Sequence, residues 1–295
     1  MSSDLVATRS RPIAANQSLI VRTVAISLKR RLRLIKRRLP SGLSVVARAR
    51  KFTVAFMVVI TLTSLPDVEQ RGRIFRPRIV LWAWERPEDL RFINPKNVGV
   101  AFLAGTLYLD ATTNFRPRMQ PLRISPETKL IAVVRVETRN ARLDQQQVKE
   151  SLKRLVNVST LPQVAVVQID FDATVSERKF YRQLLTKFRQ QLPASMPISI
   201  TALTSWCIGD QWITGLPVDE AVPMLFRMGT GQSEVTSWMA SAREFPAAVC
   251  RDSLGISTDE PWKSLPTGRR VYAFSPKPWN QDSLDALNLE IRKWH

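Results

Sequence analysis

Eight short runs of β-forming residues recur between Arg78 and Pro276, and they restrict the fold more than any other feature of the chain. They are "RIVLWAW" (78–84), "VGVAFLAG" (98–105), "LIAVVRVE" (130–137), "VAVVQIDFD" (164–172), "ISITALTSW" (198–206), "AVPMLFRMG" (221–229), "AAVCRDSLGIS" (247–257) and "RRVYAFSP" (269–276). Several are followed by helical patterns. "LDQQQVKESLKRLVN" carries Leu143, Val148, Leu152 and Leu155 on one side, and "SERKFYRQLLTKFRQQL" carries Phe180, Leu184, Leu185 and Phe188, with Ser176 as its expected cap. Further helices are expected near 233–242 and 282–293. Strands alternating with helices over about 220 residues predict an α/β chain, a compact (β/α)8 TIM-like barrel spanning 75–295. A doubly wound open sheet would bring a Gly-rich first turn, and no G-x-G-x-x-G occurs.

The fourth run ends in two carboxylates. On a strand, Val164, Val166, Gln168, Asp170 and Asp172 share one face, and Ala165, Val167, Ile169 and Phe171 share the other. The second set is wholly apolar and is expected to meet helices. The first turns polar towards its C-terminal end, so it is expected to line the lumen at the end where barrel active sites sit. Asp170 and Asp172 are separated by roughly 6.6 Å along the strand, so Asp170 lies deeper. That depth makes Asp172 the groove-facing acid and Asp170 the group that tunes it. A second catalytic carboxylate is expected from Glu260, Glu137 or Glu85 on another strand. Arg135 and Arg227, with Trp84, Trp206 and Trp279 near strand ends, are expected to bind substrate. Flat aromatic faces beside carboxylates suit sugars. The alternative is a structural network in which the arginines neutralise the acids.

The net charge of +19 is concentrated at one end. Residues 1–51 hold 13 basic side chains against the acid Asp4, whereas the remainder holds 31 basic and 24 acidic ones. An uncharged stretch, "FTVAFMVVITLTSL" (52–65), adjoins this arm. As a helix it would rise about 21 Å, short of the roughly 30 Å hydrocarbon core, which suits a signal peptide or an uncleaved anchor over 52–66. Positive-inside logic then holds the arm in the cytoplasm and exports the chain beyond Pro66, with residues 52–65 meeting the inner membrane. The arm itself is expected to be disordered, or to precede a true start of translation near Val45 or Val46. Nucleic acid is therefore not the expected partner.

The chain has two cysteines, Cys207 and Cys250, compatible with one disulfide outside the cytoplasm, and one histidine, His295. A terminal histidine leaves no Ser-His-Asp or Cys-His site in the folded body, and no cofactor or metal is expected.

"QIDFDATVSERKFYRQLL" followed by "LPASMPISITALTSW" resembles a bacterial family of domains of unknown function, catalogued under the number 3142. The shared pattern is Ile-Asp-Phe-Asp-Ala at a strand end, a helix with Tyr-x-x-Leu-Leu, Leu-Pro, then Ser-Ile-Thr-Ala-Leu-x-Ser-Trp. It covers Gln168–Trp206, and strand spacing extends it to about 78–295. The resemblance implies a fold and an extracytoplasmic location and brings no activity. More loosely, the fourth strand is similar to that of chitinase-type glycosidase barrels, which ends in D-G-x-D-x-D-x-E. Asp170 and Asp172 match the second and third acids, Val167 replaces the first, and Thr174 stands where the catalytic Glu belongs. A threonine cannot act as a general acid at neutral pH. The expected function is an exported, glycoside-hydrolase-like barrel that recognises an envelope or extracellular polysaccharide and hydrolyses it if another acid replaces the missing Glu. The alternative is a non-catalytic carbohydrate-binding or envelope-assembly barrel in the periplasm.

Overall fold

A computed structural model describes residues 77–139, 143–241 and 244–294. The basic arm (1–51) and the apolar segment (52–66) lie outside the described residues. Eight parallel strands form a closed barrel: β1 (Ile79–Ala83), β2 (Val98–Leu109), β3 (Leu130–Thr138), β4 (Val164–Asp170), β5 (Ile198–Leu203), β6 (Glu220–Met224), β7 (Ser253–Ser257) and β8 (Arg270–Phe274). Each strand pairs with its sequence neighbours, and β1 closes the ring by pairing with both β8 and β2, with Ile79 opposite Val271 and Val98. All eight runs read from the sequence contribute a strand.

The helices are fewer than a full (β/α)8 repeat requires. Among the described residues, α1 (Gln145–Ser159) follows β3, α2 (Arg178–Gln191) follows β4, α3 (Gln232–Ala240) follows β6, and α4 (Gln281–Arg292) follows β8. After β2 the chain turns back as an antiparallel strand, Thr113–Pro117, hydrogen-bonded to β2 itself. Gly105 permits that approach, because a Cβ there would overlap the Phe115 ring and the Arg116 carbonyl. After β5 a single π turn, Trp206–Asp210, replaces a helix.

Two expected boundaries move. The seventh run is a strand only in its second half, because Ala248–Cys250 forms a 3-10 turn whose Cys250 is disulfide-bonded to Cys207. Ser176 does not cap α2. The Glu177 carboxylate instead accepts the Thr174 backbone N–H and hydroxyl, both at 2.7 Å, so the chain enters the helix through a 3-10 turn. At α1 the cap is Asp144, which accepts the Gln147 N–H at 2.9 Å while Gln147 Oε1 accepts the Asp144 N–H at 3.1 Å.

Alternation sorts the strands into two apolar zones. Leu81, Val100, Val134, Val167, Ile169, Ile200, Ile256 and Val271 point outward and join the helices in the larger core. Val80, Trp82, Ala101, Ile131, Val133, Val166, Val222 and Tyr272 point inward and fill the middle of the barrel. The expected alternation on β4 holds from Val166 onward. A register shift beside Leu130–Ile131 reverses its first two residues, so Val164 packs against the outer core and Ala165 against the inner one. No helix among the described residues is long and apolar enough to cross a membrane.

Candidate functional site

The apolar middle layer separates two polar ends of the barrel. At the N-terminal ends of β6, β7 and β8 stand Glu220, Ser253 and Arg270. The buried Glu220 carboxylate accepts hydrogen bonds from Ser199 Oγ (3.0 Å), Tyr272 Oη (2.7 Å), Ser253 Oγ and Arg270 Nη1. Gln168 Nε2 extends this network by donating to Ser199 Oγ at 3.0 Å. Burial opposes the charge on Arg270, but Glu220 and Tyr272 outweigh it and raise its pKa. These groups close the bottom of the barrel. None of them was assigned a role from the sequence, although a Glu at the start of the apolar run "EAVPM" was a usable sign.

The C-terminal end is open. A cavity of about 270 Å³ is lined there by Trp82, Trp84, Val133, Arg135, Asp170, Asp172, Thr201, Leu203, Met224, Phe226, Arg227 and Phe274. That is just under the usual ligand range of about 300–1,000 Å³, so it takes a group the size of one ring. Met224 reaches the wall because β7 carries Gly255 opposite it, and a Cβ there would stand 2.8 Å from the Met224 sulfur.

Asp170, the last residue of β4, is half-buried and accepts the Thr201 hydroxyl at 2.8 Å. Burial pushes its carboxyl up, the Thr201 bond opposes that, the Asp172 charge adds to it, and Arg135 and Glu137 act in opposite directions. Asp172 lies nearer solvent, and its carboxyl is also raised, by withdrawal from water against the pull of Arg135. Arg135 lies over the Trp84 ring, 5.6 Å from its centroid, and pairs with Glu137 at 3.0 Å. Opposite, the Arg227 guanidinium lies 5.1 Å over the Phe274 ring, which stacks on Phe226 with centroids 5.8 Å apart. Arg227 adopts a left-handed backbone, φ +53°, that a non-glycine residue rarely takes. Its N–H is held by Glu260 Oε2 at 2.9 Å.

Of the ten residues expected at the site, the structure brings five to this cavity: Asp170, Asp172, Trp84, Arg135 and Arg227. Glu137 stands behind Arg135, and Glu85 accepts the Met119 N–H at 3.1 Å. Glu260 does not face Asp172, because its carboxylate is turned to the Arg227 backbone. Trp206 is only 3% exposed and packs edge-on against Trp212 in the outer core, so it offers no stacking face. Trp279 is also buried outside the barrel, where its Nε1 donates to the Trp82 carbonyl at 3.0 Å and braces β1 from behind. The lining residues not assigned a role from the sequence are Trp82, Val133, Leu203, Met224, Phe226 and Phe274, with Thr201 the donor to Asp170. Thr174 donates its hydroxyl to Glu177 Oε2. Burial works against the Glu177 charge, and bonds from Thr138 and Thr174 outweigh it and lower its pKa, so Glu177 is no proton reservoir. No cluster of three or more metal-ligating side chains occurs among the described residues.

Residues 127–223 match a domain of unknown function, DUF3142. That segment runs through β3, β4 and β5 to β6, so it carries Arg135, Asp170, Asp172, Thr201 and Glu220. Among solved structures, the Bacillus cereus spore cortex-lytic enzyme SleL superposes with a TM-score of 0.43 at 15% identity, covering 62% of this chain. The chain spans about half of that structure, 52%. No curated protein matches at a significant level.

Proposed function

We propose that this chain is an extracytoplasmic, glycoside-hydrolase-like barrel that recognises a bacterial envelope or extracellular polysaccharide at its C-terminal mouth. The observation that carries the reading is the pairing of Asp170 and Asp172, both with raised pKa values, in a ring-sized cavity walled by Trp82, Trp84, Phe226 and Phe274. Aromatic faces take the apolar face of a sugar, while carboxyl groups take its hydroxyls. In hydrolysis Asp172, at the mouth, reaches the glycosidic oxygen. Asp170 below it holds a proton more readily than an ordinary carboxyl and so sets how readily Asp172 gives one up.

One observation favours recognition without cleavage. Glycosidases need a second carboxyl group across the scissile bond. The carboxylates lining the mouth cavity are Asp170, at the end of β4, and Asp172, two residues beyond it, while Glu260 and Glu137 are engaged elsewhere. The uncharged segment 52–65 supports export, with an inner-membrane contact there, and the Cys207–Cys250 disulfide supports an oxidising compartment.

The test is binding and hydrolysis of a glycan panel by the full chain beside Asp172→Asn. Cleavage that Asp172→Asn abolishes, with folding intact, establishes the hydrolase. Tight binding without cleavage establishes the binding protein. Neither, across a broad panel, reduces the two aspartates to charges held within a barrel.

A further inference from the structure

A second cavity, about 830 Å³, lies between α3 and the connection from β7 to β8, and shares no lining residue with the mouth. Leu225, Met239, Trp262 and Leu265 supply apolar wall, and the Trp262 ring is set by its Nε1 donating to the Leu225 carbonyl at 2.9 Å. Arg269 lines the same cavity.

Arg269 is poorly matched by its own protein. Its side chain is 9% exposed, and its guanidinium lies 5.1 Å over the Phe245 ring. Nη1 is buried with no hydrogen-bond acceptor among the described residues. Nη2 is approached by Glu244 Oε1 at 3.7 Å, beyond hydrogen-bond range, on a side chain 69% exposed. Burial accordingly pushes the Arg269 pKa down. The next residue, Arg270, is comparably buried and has the Glu220 carboxylate against it. A buried guanidinium that only braced the fold would be saturated in the same way. An oxyanion entering the cavity would give the Arg269 guanidinium the acceptor its own protein does not supply, and a charge-assisted bond of that kind is among the strong ones. Lys263 on the same wall adds a second positive charge; of the two carboxylates that also line the cavity, Glu260 is turned to the Arg227 N–H and Glu244 is 69% exposed.

We propose that this cavity binds a small molecule bearing a carboxylate or phosphate, its oxyanion on Arg269 and its apolar part against Trp262 and Met239. The site shares no lining residue with the mouth and does not rest on the sugar reading.

Calorimetric titration of the full chain with inorganic phosphate and with benzoate tests it, at constant ionic strength, with benzyl alcohol as the uncharged control. Saturable binding of one or both anions, and not of the alcohol, is expected; which anion binds tells phosphate from carboxylate. Arg269→Gln weakens it by about tenfold or more, as loss of a charge-assisted bond requires. Thr236→Trp, at an exposed position on the cavity wall, abolishes it by filling the space without touching the core. This second variant keeps the test decisive if Arg269→Gln fails to fold. No saturable binding of either anion, or unchanged affinity in either folded variant, would overturn the proposal.

Discussion

The two ends of the barrel hold acids of the same kind in opposite states. At the closed end Glu220 accepts bonds from Ser199, Ser253, Arg270 and Tyr272, and its charge is answered within the fold. At the open end Asp170 accepts the Thr201 hydroxyl, and both mouth carboxyls are pushed towards their neutral forms. A saturated carboxylate holds structure together and has no capacity left for a ligand. An under-supplied one in a cavity keeps that capacity. The mouth, and not the polar bottom, is therefore the candidate site.

The sharpest way to break the contrast is Glu220→Ala. It leaves Arg270 charged and buried, so a loss of about 3–5 kcal/mol in denaturant unfolding is expected. A loss under about 1 kcal/mol would mean the closed end is not a structural lock. Next in size is Glu260→Ala, which frees the Arg227 N–H from its acceptor. Unfolding should cost about 1 kcal/mol less, and glycan affinity should fall because Arg227 no longer keeps its left-handed backbone over Phe274. Stability loss with unaltered glycan affinity would remove Arg227 from the site.

A smaller change, of opposite sign, is expected at Asp170. Its native carboxyl is raised above the ordinary value of 3.8, so the folded state binds the proton more tightly than the unfolded one. The aspartate is thus least costly when protonated, and stability declines as pH rises from about 4 through the raised native value. Asp170→Asn, which keeps an acceptor for Thr201, should raise Tm at pH 7, and the gain should vanish below about pH 4. A pH-independent difference would show that burial of the charge is not the cause. The smallest stability effect belongs to Asp172→Asn, within about 0.5 kcal/mol in the same unfolding assay, because Asp172 is exposed at the rim. Its effect on glycan recognition should be complete, the reverse of Glu220→Ala.

Strand number and the inward direction of Asp170 and Asp172 were legible because both are periodic properties. A strand shows alternate residues to alternate faces, and eight apolar runs separated by breakers remain countable without partners. The four helices expected from periodicity are the four among the described residues, while the hairpin strand "TNFRP" and the π turn "WCIGD" carry no helical stripe, so the full (β/α)8 repeat was the part that did not hold. Rim aromatics were the least legible. Trp84 and Trp206 both follow strand ends, yet one lines the cavity and the other packs beneath the surface.

From its sequence alone, this chain has two acids turned to the lumen at the end of its fourth apolar run and enough strands to close a barrel. Only the tertiary structure decided that Glu220 meets Arg270 fifty residues later, that Trp279 braces Trp82 from 197 residues away, and that Glu260 grips a backbone amide rather than facing Asp172. Those partnerships join residues far apart in the chain. Ring closure and strand register choose them, and no local pattern encodes either.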